Sequence, residues 1–336
     1  MHQGTVARTS ELLVAAEQVH VVVVGDVMLD HYYWGTVSRV SPEAPVPVVD
    51  LVRESFHLGG AANVAANIRA LGASAALIGA VGDDPAGVQL RSLAKEGQID
   101  ASGIHTAEDR PTTMKTRIIG NNQQLIRLDR ESRAEVSESV VERIMDDVRS
   151  RPSIDAIVLQ DYDKGLLSAD LMRRIIDVAQ SRSIPVFVDP KKTQADLYHG
   201  AFVFKPNRKE AADMLGYALT SPDLILRAGQ DLLDRIDCAY VLLTLGAKGM
   251  MLFHRTGEVR SVPTVAKKVA DVSGAGDTVI ATLATLVAAG ADVAEAAGIA
   301  NIAAGVVVGE PGIVSITAPV LLEAVREDGH YIGSLL

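Results

Sequence analysis

Residues His20–Asp26 read HVVVVGD, four consecutive valines closed by a glycine and an aspartate. A short apolar run without polar alternation fits a strand covered on both faces, as in a parallel sheet. The same kind of run recurs at Ala75–Val81, Ala156–Gln160, Val186–Asp189, Ala201–Phe204 and Tyr240–Leu245. Helical patterns lie between several of these runs, at Ala61–Leu71, Ala86–Glu96, Ala169–Ser181, Lys209–Leu215 and Leu224–Arg235. From Gly276 onward the pattern is mostly helical, through Ala289, Val293–Val308 and Ala318–Arg326. Alternating β and α elements predict an α/β fold, a mostly parallel sheet flanked by helices on both faces.

Two stretches break this rhythm. His31–Val52 (HYYWGTVSRVSPEAPVPVVDLV) holds three prolines and the only tryptophan. Thr112–Asp129 reads as two extended runs around a Gly-Asn-Asn turn. Together they predict a small β lid, inserted at about 31–52 and 112–129 into a single domain of residues 1–336. Apolar residues on such a flap, among them Val46, Val48, Ile118 and Ile126, need a cover. A second copy of the chain would supply one, so the expected assembly is a homodimer through the lid.

The composition excludes several function classes. A net charge of −10 and an aromatic content of 4% are unsuited to nucleic-acid or membrane-surface binding. No apolar run reaches membrane-spanning length, and the first ten residues lack a signal-peptide pattern. The single cysteine, Cys238, leaves no intrachain disulfide framework, and the expected compartment is the cytoplasm. The eight histidines show no HxxxH or HExxH spacing that would mark a zinc site.

The chemistry concentrates at strand ends and glycine turns. Asp271–Asp277, DVSGAGD, opens an apolar helix. The small residues Ser273, Gly274, Ala275 and Gly276 leave the backbone open to a ligand, and successive amides there can cradle an anion. Asp277 can cap that helix or take a proton from a substrate hydroxyl. An anion cradle beside a base is what phosphoryl transfer to an alcohol requires. Asp26 and Asp30 follow the first strand, where open α/β sheets bind ligands. Gly59, Gly60 and Asn63 open another helix. Asn207 and Glu210 have the spacing of a capping box, and also suit a triphosphate and a Mg²⁺-bound water. Thr244 and Gly246 close the run YVLL at a turn that a nucleotide can approach. Neither a Walker A loop nor a GxGxxG dinucleotide fingerprint is present. Cations available for a second anion are Lys115, Arg117, Arg127 and Lys191. Lys115 and Arg117 share one strand face, and hairpin register decides whether Arg127 joins them.

In combination, GGAANVA and DVSGAGDT resemble the motifs of the ribokinase-like (PfkB-type) carbohydrate kinases, in the order and separation found there. GDVMLDHYYWG, SRVSPEAPVPVV, NNQQLIRLD, YDKG and DPK are similar to the D-glycero-β-D-manno-heptose 7-phosphate kinases of lipopolysaccharide-core biosynthesis. The resemblance implies a ribokinase-like fold, ATP as co-substrate with Mg²⁺, and phosphorylation of the anomeric hydroxyl of heptose 7-phosphate to the 1,7-bisphosphate. It implies Asp277 as base, with the Gly274, Ala275 and Gly276 amides on the transferring phosphoryl group. Asn207 and Glu210 would serve nucleotide phosphate and, through water, Mg²⁺; Thr244, Gly246 and Asn301 would border ATP. Asp30, Gly59, Gly60 and Asn63 would hold the sugar, and some of Lys115, Arg117, Arg127 and Lys191 its phosphate. Some relatives hold a monovalent cation near the terminal motif; Val272, where many have threonine, offers it no hydroxyl. Bifunctional relatives carry a nucleotidyltransferase domain after the kinase, and the expectation here is the kinase alone. Other sugars remain open, namely fructose 6-phosphate, ribose or a sugar acid, as does a non-catalytic sugar or nucleotide sensor.

Overall fold

The computed structural model describes residues 2–266 and 269–328. The chain opens with α1 (His2–Ala16), β1 (His20–Gly25), β2 (Val27–Val40), β3 (Pro47–Gly60) and α2 (Ala61–Ala70). It continues through β4 (Ser74–Val81), α3 (Pro85–Glu96), β5 (Asp100–Thr106), β6 (Met114–Gly120), β7 (Gln123–Arg130) and α4 (Glu138–Ser150). Then follow β8 (Ala156–Gln160), α5 (Ala169–Ser181), β9 (Val186–Asp189), β10 (Val203–Phe204), α6 (Arg208–Leu215) and α7 (Pro222–Ile236). The last elements are β11 (Tyr240–Thr244), β12 (Met250–His254), β13 (Val259–Val262), α8 (Ala275–Ala288), α9 (Val293–Val307) and α10 (Ala318–Asp328).

Nine strands form the main sheet in the order β13-β12-β11-β10-β9-β8-β1-β4-β5. All its pairings are parallel except β11–β12 and β12–β13 at one edge. The valine run of β1 explains why the sheet needs helices on both faces. Val21 and Val23 enter one apolar core, with α1, α2, α3, α8, α9 and α10. Val22 and Val24 enter the other, with α4, α5, α6 and α7. Four buried valines on a two-residue period thus hold two helical layers to one strand.

Several elements differ from the sequence expectation. α1, β5, α4 and the antiparallel pair β12–β13 have no counterpart in it. β10 is only Val203–Phe204, because Lys205-Pro206 ends the ladder.

A second sheet has the order β3-β2-β6-β7, with β2–β6 parallel and the other two pairs antiparallel. Its first two strands run over Val27–Gly60, well beyond the expected 31–52, whereas β6 and β7 over Met114–Arg130 nearly match the expected 112–129. The extension is buried: Val27, Met28, Leu29 and Asp30 are all inside, so this sheet is rooted beside the ends of β1 and β4. The root is fixed by Asp26, whose carboxylate accepts the backbone N–H groups of Tyr162, Lys164 and Leu166. Asp26 therefore organises the loop after β8. Burial and the neighbouring charge of Asp161 push its pKa up against those three donors.

Candidate active site

The order β10-β9-β8-β1 sets four polar residues along one edge of the sheet. Lys205 follows β10, Asp189 ends β9, Gln160 ends β8, and Asp26 follows β1. These are carboxyl ends of parallel strands, the usual ligand side of such a sheet. Lys205 Nζ pairs with Asp189 Oδ1 at 2.9 Å, and both residues are buried. Gln160 Nε2 donates to Asp189 Oδ2 at 3.1 Å and to Asp277 Oδ1 at 3.0 Å.

Asp277 stands in the first turn of α8, where the helix dipole favours negative charge. It is not the cap: Gly274 occupies that position, at φ 80°, and no side chain caps the helix. The carboxylate instead meets residues remote in sequence. Oδ1 accepts from Gln160 and, at 2.8 Å, from the Tyr162 hydroxyl; Oδ2 accepts from Asn63 Nδ2 at 2.7 Å. A carboxylate oxygen has two lone-pair directions. Two donors fill those of Oδ1, whereas Oδ2 keeps one for a further donor. A substrate hydroxyl is a donor of that kind. Burial drives the Asp277 pKa up, the Asn63 bond opposes it, the Asp189 charge adds to it, and Tyr162 and Lys205 oppose it, leaving it at about 7. That value suits a base working near neutrality.

Asn63 is held for this contact. Asn67 Nδ2 donates to Asn63 Oδ1 at 3.2 Å, turning the Asn63 amino group towards Asp277, and Thr278 Oγ1 donates to Asn67 Oδ1 at 3.2 Å. Two glycines keep the approach open. A Cβ at Gly274 would stand 2.9 Å from Asn63 Nδ2, and one at Gly59 would stand 2.1 Å from Asp30 Oδ2. Gly60 joins β3 to α2 at φ 57°. Asp30 is buried, with its Oδ1 bonded to Arg117 Nη1.

The remaining candidates fall into two groups. Thr244, Gly246, Ala275, Gly276 and Asn301 line one pocket of about 330 Å³, with Val272 on its wall. Asn301 donates to the Pro263 carbonyl at 2.7 Å, so part of its capacity is already used. Asn207 and Glu210 form the full capping box of α6, and Glu210 Oε1 also pairs with Lys191 at 2.9 Å. Lys191, Asn207 and Glu210 line a second pocket of about 370 Å³ with Arg133, Tyr162 and Lys164. Lys191 thus stands with Glu210 and apart from the lid cations with which the sequence reading grouped it.

Register answers the question about Arg127, which lies directly opposite Arg117 as Lys115 lies opposite Asp129. All these cations carry carboxylate partners. Arg127 is held by both Asp129 oxygens at 2.8 and 3.0 Å, and Lys115 lies between Asp129 at 3.3 Å and Glu131 at 3.4 Å. Glu131 also pairs with Lys164 at 2.8 Å.

Gln160, Tyr162, Asp189 and Lys205 had no assigned role in the sequence reading. The YDKG and DPK motifs and the strand-end positions were the available signal.

A family model described as pfkB family carbohydrate kinase matches residues 18–319. The bifunctional protein HldE of Geobacter metallireducens is 42% identical over 307 residues, covering 91% of this chain and 63% of that protein. HldE of Nitratiruptor sp. is 43% identical over 311 residues, covering 91% and 64%. The chain therefore spans less than two thirds of these relatives. Among solved structures, phosphofructokinase-2 from Escherichia coli in complex with potassium superposes at a TM-score of 0.77, with 20% identity over 94% of this chain and 99% of that one. Arabidopsis thaliana ribokinase complexed with ribose and ATP gives 0.73, with 19% identity over 92% and 99%. The chain belongs to the pfkB family of carbohydrate kinases and has their ribokinase-like fold.

If Asp277 works as a base, its donors set the pH at which it works. A hydrogen bond to a charged group is worth roughly 1.5–3 kcal/mol, equivalent to about one to two pKa units. Tyr162→Phe removes one such donor, so the acidic limb of the kcat/KM profile should move up by about one unit. The substrate titrates identically with both enzymes, so the comparison isolates the protein group. An unmoved limb would separate Tyr162 from the base.

Proposed function

We propose that this kinase transfers the terminal phosphoryl group of ATP to the anomeric hydroxyl of D-glycero-D-manno-heptose 7-phosphate, giving the 1,7-bisphosphate, in the cytoplasm. The observation that carries the reaction type is the geometry of Asp277, a buried carboxylate with one open lone pair beside a glycine turn at a helix start. In this reading the acceptor hydroxyl donates to Asp277 Oδ2 and loses its proton there as the new O–P bond forms. The first N–H groups of a helix have no intrahelical acceptor; in this reading those of the Gly274–Gly276 turn meet charge developing on the phosphoryl group, with Ala275 N–H giving up its long 3.4 Å bond to the Val272 carbonyl. Asp30, oriented by Arg117, holds the sugar against Gly59 and Gly60.

The heptose assignment rests on the lid and strand-end motifs shared with heptose 7-phosphate kinases, and the HldE relatives support it. Lys115, Arg117 and Arg127 all carry carboxylate partners, and they are the lid cations for a remote phosphate. Thr244, Gly246 and Asn301 would border the nucleotide, and Asn207 and Lys191 its phosphates. Glu210 has two acceptors engaged and two lone pairs left, a fit to a magnesium ion that keeps most of its water. Bound with the nucleotide, magnesium neutralises phosphate charge.

On the lid, Val46, Leu51, Val52, Ile126 and Leu128 expose apolar side chains, and a second copy of the chain is the cover we propose.

ATP consumption should be measured over sugars and sugar phosphates, with and without magnesium, and the new phosphate located by NMR. Heptose 7-phosphate should give the highest kcat/KM, with product at the anomeric carbon and no turnover without magnesium. A preference for fructose 6-phosphate or ribose would reject the heptose reading. Light scattering should give twice the chain mass; a monomer would reject the lid dimer.

A further inference from the structure

The inner face of the lid carries a buried hydroxyl that the reaction described above does not use. In β2, alternate residues share a face, so Asp30, Tyr32 and Trp34 project together. Tyr32 is 3% exposed, and its hydroxyl has no hydrogen-bond partner among the described residues. Its ring is well packed. The Arg117 guanidinium lies 5.1 Å from its centroid, His57 meets it edge-on at 5.5 Å, and Trp34 stacks at 5.8 Å.

An unpartnered buried hydroxyl costs about 1–3 kcal/mol. Phenylalanine would fill the same space without that cost, so packing does not account for the oxygen. The side chain shares the Asp30 face, and the Arg117 guanidinium beside its ring also bonds Asp30. Burial pushes the phenol up to about 12, Arg117 opposes this, and the charges of Asp30 and Asp271 add to it. Tyr32 thus stands next to Asp30 on the buried face of the lid.

Distance along the strand identifies the part of the substrate concerned. Two residues of β-strand span roughly 6.6 Å, a little more than a sugar ring. With ring hydroxyls at Asp30, atoms near Tyr32 belong to the chain that extends beyond the ring. We propose that the Tyr32 hydroxyl hydrogen-bonds the exocyclic hydroxyl of the sugar, so that the lid selects substrates longer than the ring held at Asp30. This rests on the reading that Asp30 holds a sugar phosphate, and it names the residue that measures its length.

The test is Tyr32→Phe, assayed with heptose 7-phosphate and ATP. Loss of one neutral hydrogen bond should raise the sugar KM about tenfold. The KM for ATP should stay at the wild-type value, and the midpoint of thermal unfolding without ligand should stay level or rise. The inhibition constant of D-mannose 6-phosphate, one carbon shorter, should change less than the heptose KM. An unchanged heptose KM, an equal rise for ATP, or a lowered unfolding midpoint would each overturn the proposal. If the wild type does not phosphorylate heptose 7-phosphate, the heptose reading fails separately. The same comparison is then made with the sugar it does phosphorylate and that sugar lacking its terminal hydroxyl, and equal effects on both overturn the Tyr32 role.

Discussion

Removal of the Asp277 carboxylate from water is the constraint on which the rest of the site depends. Desolvation alone would leave the group protonated and inert as a base. The Asn63 and Tyr162 hydrogen bonds and the Lys205 charge oppose burial and leave its pKa at about 7, and Gln160 supplies a third donor. Each donor arrives from a different place: Asn63 from the start of α2, Gln160 from the end of β8, and Tyr162 from the loop that Asp26 ties down. The strand order is therefore part of the chemistry. Only with β10, β9, β8 and β1 side by side do Lys205, Asp189, Gln160 and the Asp26-anchored loop converge on one carboxylate.

The lid answers a different demand. On the proposed sugar-phosphate reading it has to hold cations near an anionic substrate in a chain whose net charge is −10. Arg117 with Asp30, Arg127 with Asp129, and Lys115 with Asp129 and Glu131 keep those cations in place with their charge balanced. Among these the more exposed Arg127–Asp129 pair contributes little to stability. The use of these pairs is positional: a phosphate can join or replace a carboxylate without a large rearrangement. The same strand carries Asp30 and Tyr32, so one backbone sets both the proposed grip on the sugar ring and the proposed contact beyond it.

Much of this was legible in the sequence because the signals are local. The valine run of β1, the glycine turn before Asp277 and the Asn207–Glu210 spacing each act within a few residues, and each forms in the structure. What stayed hidden depends on distant contacts. Tyr162 and Gln160 lie 115 and 117 residues from Asp277, and no pattern along the chain announces those bonds. The engagement of Arg117 with Asp30, 87 residues away, follows only from the β2–β6 pairing. Among the unexpected elements, β5 (DASGIHT) lacks an apolar run because it is a sheet edge, whereas α4 has a plain apolar stripe, Val140, Val141, Ile144, Met145 and Val148.

The central claim is that Asp277 Oδ2 takes the proton of the acceptor hydroxyl. The most direct measurement is kcat of Asp277→Asn beside its affinity for ATP. The account predicts a loss of ~10²–10⁴-fold in kcat, with the dissociation constant for ATP unchanged. Turnover near the wild-type rate, in a variant that still binds ATP, would contradict it.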